Sequence, residues 1–340
     1  MDLKRVAIFC NPYSGTGRDR VLDLTRQACA CLSPQASEVL TGPGDMGAVV
    51  CSGDKVRVLG QDSTGTRRDT IETAGQMVAE GAELLVIVSG DGTYNDALEG
   101  MKSLGTTVPI FGIAAGSFNV MFPKRVHDPF VSMRGDFRPF SLKDLVVEDV
   151  PGLVSRINGE IVSYGFFWAN VSNVVGHQGP DGDIVLIDAR EYIRGDVVPI
   201  TTPLPVATEE TAIDLSSETL GEIRLGEGAG IASPVVAQCV PEINQIMSGG
   251  FGAIAEATGF HGVAFYYEDA GFAFLPGPED FPVNTRSLAF YEGDQVRFTN
   301  LRDQSVLCVD STAVVPLRST DVLTVEVVLD LGKKAVLPRR

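Results

Sequence analysis

The stretch Leu84-Leu-Val-Ile-Val-Ser-Gly-Asp-Gly-Thr-Tyr-Asn-Asp96 most restricts what this chain can fold into. The apolar run Leu84 to Val88 is too short for a helix core and suits a strand buried on both faces. It halts at Ser89-Gly90-Asp91-Gly92-Thr93, and helix-compatible spacing resumes at Tyr94. A strand, a glycine turn and a helix start predict a parallel α/β sheet, with the turn at the carboxyl end of a strand, where ligands bind. Backbone N–H groups at a helix start suit an anion. Gly90 and Gly92 lack Cβ and are expected to permit positive φ and close approach of a phosphate, with the Asp91 carboxylate between them. This pattern predicts phosphoryl transfer.

A chain of 340 residues is longer than one core usually serves, so two domains are expected. The 44% apolar and 21% charged content is that of a globular protein. No apolar run approaches the roughly 20 residues that span a bilayer. The start, Met1 to Phe9, runs into a strand without a signal-peptide core, so a cytoplasmic protein without stable membrane insertion is expected. Six cysteines, at 10, 29, 31, 51, 239 and 308, form no C-x-x-C pair, and with three histidines they read as reduced thiols rather than a zinc site. The net charge of −17 is uneven: 14 Lys+Arg face 16 Asp+Glu in residues 1–140, and 13 face 28 in residues 141–340. The second half therefore disfavours nucleic acid and anionic lipid as partners, and otherwise reads as a well-solvated surface.

Along the chain, Val6 to Cys10 predicts a first buried strand, ending in Asn11-Pro-Tyr-Ser-Gly-Thr-Gly17 before a helix over Arg18 to Cys31. That loop is either a second anion-competent turn or an ordinary turn with a helix cap. Strands are expected at Glu38–Thr41 and Val56–Leu59, and a helix from Thr66 to Glu80. Asp69 and Thr70 either cap this helix or face the glycine turns. Val108 to Ile113 predicts another strand, closing in Ala114-Ala-Gly-Ser-Phe-Asn119. Strand-end loops separated by helices agree with a parallel sheet whose loops share one edge. Beyond about residue 140, short β-rich runs such as Val162–Val175, Gly262–Phe274, Arg286–Phe290 and Val322–Leu329 predict a mainly antiparallel β domain, with residues 199–234 an irregular excursion or a mobile flap.

Asn11-Pro-Tyr-Ser-Gly15, Gly90-Asp-Gly-Thr93 and Gly112-Ile-Ala-Ala-Gly-Ser-Phe-Asn119, in this order, resemble the superfamily of NAD kinases, diacylglycerol kinases and sphingosine kinases. Thr41-Gly-Pro-Gly-Asp-Met-Gly47, Asp69-Thr70 and Gly90 to Asp96 are most similar to its ATP-NAD kinase-like branch, related to the acetoin-catabolism X protein. Val306 to Asp310, Val322–Leu329 and Ala335 to Leu337 resemble the superfamily's closing β segments. Ser89 stands where the superfamily usually has glycine, and the adenosine-binding Asn-Glu or Asn-Asp motif of NAD kinases is not evident downstream.

The resemblance implies an α/β amino-terminal domain over residues 1–140 with a mainly parallel sheet, and a sandwich-like all-β domain over 141–320. Residues 321–340 would form a closing β segment packed back near the first domain, and a nucleotide cleft would lie between the two. It further implies an ATP-dependent kinase requiring Mg²⁺ and acting on a hydroxyl of a small molecule. NAD leads as acceptor, a lipid kinase acting on diacylglycerol or a sphingoid base is the first alternative, and a nucleotide-binding regulator without catalysis is the second. Asp91 would be the catalytic carboxylate or a Mg²⁺ ligand through the phosphates. Asn11, Ser14, Gly15, Gly90, Gly92, Thr93, Gly116, Ser117 and Asn119 would bind nucleotide, and Lys124 and Arg125 would counter phosphate charge or be solvated. Asp69, Thr70, Asn95, Asn170 and His177 are the candidates for acceptor contact, and His177, Asp181 and Asp183 would together be solvated loop residues, an acceptor site or a second metal site. Trp168 reads as core before it reads as a stacking platform. Association of the chain into a homo-oligomer through the second domain is also an implication of the resemblance.

Overall fold

The computed structural model describes residues 3–60, 65–116, 137, 139–166, 168–172, 174–178, 184–194, 196, 212–214, 221–224, 235–239, 262–267, 285–290, 293, 295–299, 301, 306–310 and 312–337. Two compact units divide the chain, one made of residues 1–150 and 330–340 and the other of residues 151–329.

In the first unit β1 (Arg5–Cys10), β2 (Glu38–Thr41), β3 (Val56–Val58), β4 (Leu84–Ser89) and β5 (Ile110–Ala114) form a parallel sheet in the order β5-β4-β1-β2-β3. They alternate with α1 (Arg18–Leu32), α2 (Arg67–Ala79) and α3 (Asp91–Lys102). The chain steps from β1 outward to β2 and β3, then returns past β1 to β4, so the strand order reverses between β1 and β4. Such a reversal sends the crossover helices to opposite faces and opens a crevice at the carboxyl ends of the two strands.

Burial on both faces explains the unbroken apolar run of β4, every residue of which is buried. On one face Val6, Ile8, Val86, Val88 and Phe111 pack with Val21, Leu24, Ala28 and Leu32, which recur along α1 at helical spacing. Ala7, Phe9, Leu85 and Ile87 point the other way and are also fully buried. Side chains of this size each contribute about 1.5–3 kcal/mol when buried. α2 and α3 lie against each other, and their backbones meet at two glycines: a Cβ on Gly75 would stand 3.2 Å from the Gly100 carbonyl oxygen, and one on Gly100 only 2.2 Å from that of Ile71.

A polar clamp ties the same two helices. Arg67, which opens α2, donates from Nε to Asp96 Oδ1 at 3.0 Å and from Nη2 to Glu99 Oε2 at 2.8 Å. Burial pushes the Asp96 carboxyl up to about 6, against the pull of the Arg67 guanidinium. The folded pKa thus exceeds the value of about 3.9 for an unfolded Asp, so the stability this group contributes is greatest below about pH 4 and declines as pH rises through 6. Glu38, hydrogen-bonded to Arg57, and Asp45, hydrogen-bonded to Arg18, are held below their usual range and act in the opposite sense. Their contribution is present at neutral pH and is lost as pH falls below about 4. Asp96→Asn is expected to flatten the stability profile between about pH 4 and 6 while leaving the acid limb in place, measured by urea unfolding across that range.

The remaining elements are mostly strands. β6 (Val146–Ile157) and β7 (Glu160–Gly165) form a hairpin turning at Asn158-Gly159, both with positive φ, and β8 (Trp168–Ser172) follows. β9 (Val174–Gln178) pairs with β10 (Ile184–Asp188), and a single short helix, α4 (Ala189–Ile193), comes next. Then come β11 (Ala212–Asp214), β12 (Gly221–Arg224), β13 (Val235–Cys239), β14 (Gly262–Tyr267), β15 (Thr285–Phe290), β16 (Gln295–Thr299), β17 (Val306–Val309), β18 (Thr312–Pro316) and β19 (Leu323–Val336). A six-stranded antiparallel sheet runs β15-β14-β13-β8-β17-β18. β16 pairs antiparallel with the start of β19 and parallel with β12.

The α/β first half and β-rich second half expected from the sequence are therefore present. Two details differ. The excursion over 199–234 contains β11 and β12. The long strand β6 had no counterpart among the expected elements. The final residues of β19 belong to the first unit, where Lys334 stands opposite Ile110 of β5 in parallel and the Lys333 carbonyl accepts from Tyr94 Oη at 2.9 Å.

Candidate active site at the ends of β1, β4 and β5

Three loops meet at the β1/β4 crevice. The first, Asn11–Gly17, is folded on itself by Ser14 N donating to the Asn11 carbonyl at 3.1 Å and Tyr13 N donating to Asn11 Oδ1 at 3.0 Å. It ends at Gly17, the N-cap of α1, whose φ of 87° favours glycine. The second is the passage from β4 into α3. The third begins at Ala115, whose carbonyl accepts from both Thr16 N at 3.1 Å and Thr16 Oγ1 at 2.9 Å, while Ala115 N donates to the Ser89 carbonyl at 2.8 Å.

Side-chain hydroxyls join the first two loops. Ser14 Oγ lies 2.6 Å from Ser89 Oγ, Ser89 Oγ lies 2.6 Å from Thr93 Oγ1, and Asn11 Nδ2 donates to Thr93 Oγ1 at 3.3 Å. Ser89 and Thr93 are buried at 1% and 5% exposure, and Ser14 is half-buried. Asn11, Ser14 and Thr93, which are 82 residues apart at their extremes, are thus brought to one point. Gly15 is exposed on the same loop, and Gly116 is buried beside Ala115.

The glycine turn itself differs from expectation. Gly90 has φ −110° and caps α3, which begins at Asp91 rather than at Tyr94, and neither Gly90 nor Gly92 takes positive φ. Gly92 is a first-turn helical residue. Asp91, 6% exposed, occupies the first helical position, where the positive end of the helix favours a carboxylate and adjacent N–H groups suit an anion.

The other candidates are placed differently. Asp69 accepts from Gly65 N at 2.7 Å and Thr66 N at 3.1 Å, closing a capping arrangement at the start of α2. Thr70 and Asn95 are buried on α2 and α3 at 4% and 7% exposure. Asn170 lies on β8 and His177 on β9, in the second unit. Ser117, Asn119, Lys124, Arg125, Asp181 and Asp183 lie outside the described residues. Sequence reasoning passed over Ser89 and Thr16, which join the loops by hydrogen bonds. The available signal was a hydroxyl residue within the strand-end segments of both β1 and β4.

Residues 5–125 match the family model described as the diacylglycerol kinase catalytic domain. Over these residues the chain is thus similar to a kinase catalytic domain. Among solved structures it is similar to yeast NADH kinase complexed with NADH, at 13% identity and a TM-score of 0.49, covering 100% of this chain and 84% of that one. It is also similar to a diacylglycerol kinase from Bacillus anthracis str. Sterne, at 11% identity and a TM-score of 0.35, covering 97% of this chain and 96% of that one. No curated protein matches it. Among the described residues, no helix is long and apolar enough to cross a membrane.

Proposed function

We propose that the chain is an ATP-dependent kinase that transfers the γ-phosphoryl group to a hydroxyl of a small molecule, with NAD as the acceptor. The observation that carries the transfer reading is the convergence of three strand-end loops on two helix starts, with Asp91 as the carboxylate of the glycine turn. Phosphoryl transfer asks a protein for alignment and charge stabilisation more than for covalent chemistry. Donors for the phosphates are the N–H groups of Gly90 to Gly92 and the Ser14 hydroxyl, to which Thr93 is joined through Ser89. Asn11, Gly15 and Gly116 shape the loops that carry them, and Ser117 and Asn119 are assigned to the nucleotide by resemblance. Asp91 accepts the proton of the attacking hydroxyl.

Among the described residues no group of three or more His, Cys, Asp or Glu side chains could hold a metal ion. A Mg²⁺ ion would be held here chiefly by phosphate oxygens and water, which is how Mg²⁺ is commonly bound, with Asp91 as its protein ligand in the alternative where the carboxylate is not the base. When bound it supplies neutralisation of phosphate charge. Asn95, Thr70, Asp69, Asn170 and His177 are the residues proposed for acceptor contact, Asp69 only where the cap at α2 is given up.

A second reading, a lipid kinase acting on diacylglycerol or a sphingoid base, is favoured by the family-model match over residues 5–125 and opposed by the acidic second half, which anionic membranes repel. ATP consumption with Mg²⁺ should be measured on NAD, NADH, diacylglycerol in micelles and sphingosine, with product masses. Turnover of NAD is the expected result. A phosphorylated lipid would move the acceptor to the second reading, and ATP binding without turnover on any of them would favour a nucleotide-binding regulator.

A further inference from the structure

We propose that Ser89 is a positioning residue that makes Asn11, Thr93 and Ser14 a single directed chain of donors, ending in the Ser14 hydroxyl on a nucleotide phosphate. The inference rests on the nucleotide reading above and adds how the loops grip the phosphate.

The argument is a count of hydrogens. Ser14, Ser89 and Thr93 bring one hydroxyl hydrogen each, and the two O···O contacts of 2.6 Å consume two of them. One hydrogen remains. It does not sit on Ser89, which is 1% exposed and has no third side-chain partner among the described residues, so it belongs to an end of the chain. Burial fixes which end. Thr93 Oγ1 accepts from Asn11 Nδ2, is 5% exposed and has no further acceptor beside it among the described residues, whereas Ser14 is half-buried and can give its hydrogen to an incoming group. The chain then runs from the Asn11 amide to Thr93, from Thr93 to Ser89, from Ser89 to Ser14, and leaves the Ser14 hydrogen facing out. Donors arranged in one direction polarise one another, so the last is stronger than an isolated serine. A phosphate oxygen, which only accepts, meets that hydrogen already oriented.

Two consequences separate this from ordinary packing. Thr93 acts on the phosphate through Ser89 and Ser14 rather than by its own hydroxyl. Glycine at position 89, usual in the superfamily that the sequence resembles, would leave Ser14 and Thr93 as unconnected donors.

The test is a set of mutant cycles read as ATP dissociation constants by calorimetry with no acceptor present. Ser14→Ala is expected to weaken ATP by about 10-fold or more, the scale of a hydrogen bond to a charged group. Ser89→Ala and the isosteric Thr93→Val are each expected to weaken it about threefold to tenfold while Ser14 is present. On the Ser14→Ala background neither is expected to have any further effect, since the donor they orient is gone. Melting temperatures report folding separately, and should Ser89→Ala fail to fold, the cycle of Ser14→Ala with Thr93→Val reads the same coupling alone. Losses that multiply on both backgrounds, as independent contacts or a purely structural role would give, overturn the chain while leaving the nucleotide reading standing. Absence of ATP binding by the unmodified protein overturns the nucleotide reading and the inference with it.

Discussion

Asp91→Asn is expected to lower kcat by about 10²–10⁴-fold, the usual worth of a general base, with little change in fold. The side chain is 6% exposed at the first position of α3, and Asn keeps its size and one acceptor oxygen while losing the ability to take a proton. Loss of a negative charge from the first helical turn removes only about 0.3–1 kcal/mol of stability. The two roles open to Asp91 separate in the same experiment. If the carboxylate is the base, the dissociation constant of Mg·ATP stays near that of the unmodified protein while kcat collapses. If it is chiefly a metal ligand, Mg·ATP affinity falls as well. Full activity in the variant would remove Asp91 from the chemistry altogether.

Gly100→Ala is expected to destabilise the protein by about 3 kcal/mol, at the upper end of overpacking costs. The added Cβ would stand 2.2 Å from the Ile71 carbonyl oxygen and 3.1 Å from Gly75 N, both backbone atoms of α2 that cannot swing aside as a side-chain tip would. Alanine's better helix propensity, worth about 0.8–1 kcal/mol, offsets only part of this. At Gly75 the balance is different: the new Cβ meets the Gly100 carbonyl oxygen at 3.2 Å, and the propensity gain leaves Gly75→Ala near neutral. Urea unfolding of the two variants checks the contrast, and equal effects would contradict the backbone contact. Because α3 carries Asp91 at its start, Gly100→Ala is also expected to reduce turnover in the fraction that remains folded.

The division of the candidate site between what could be foreseen and what could not follows the range of the interactions. Leu84–Val88 followed by Ser-Gly-Asp-Gly-Thr identifies a buried strand and a helix start because strand burial and turn chemistry are written in neighbouring residues. The same local logic places β1, α1, β2, α2 and β5 to within a few residues. It fails at the start of α3. Glycines read as positive-φ turn residues are instead a cap and a first-turn residue, since glycine permits positive φ without requiring it.

The role of Asp69 is local as well, and both alternatives were visible; the capping geometry at Gly65 and Thr66 was not. Ser89 was legible only as a departure from a family pattern. Its partner Ser14 lies 75 residues away, and a contact of that separation leaves no periodic trace in the chain.

By itself, then, the sequence determined that the first half alternates buried strands with helices, that the second half is β-rich, and that a carboxylate follows the strongest strand. Each of these is set by residues within a turn or two of one another, through hydrophobic periodicity and backbone preference. Only the tertiary structure decided the strand order, the reversal between β1 and β4, and the meeting of Asn11, Ser14, Ser89 and Thr93 at that reversal. The physical reason is that pairing of parallel strands and the joining of their loops depend on which crossovers bury both faces of the sheet, a property of the whole chain rather than of any segment of it.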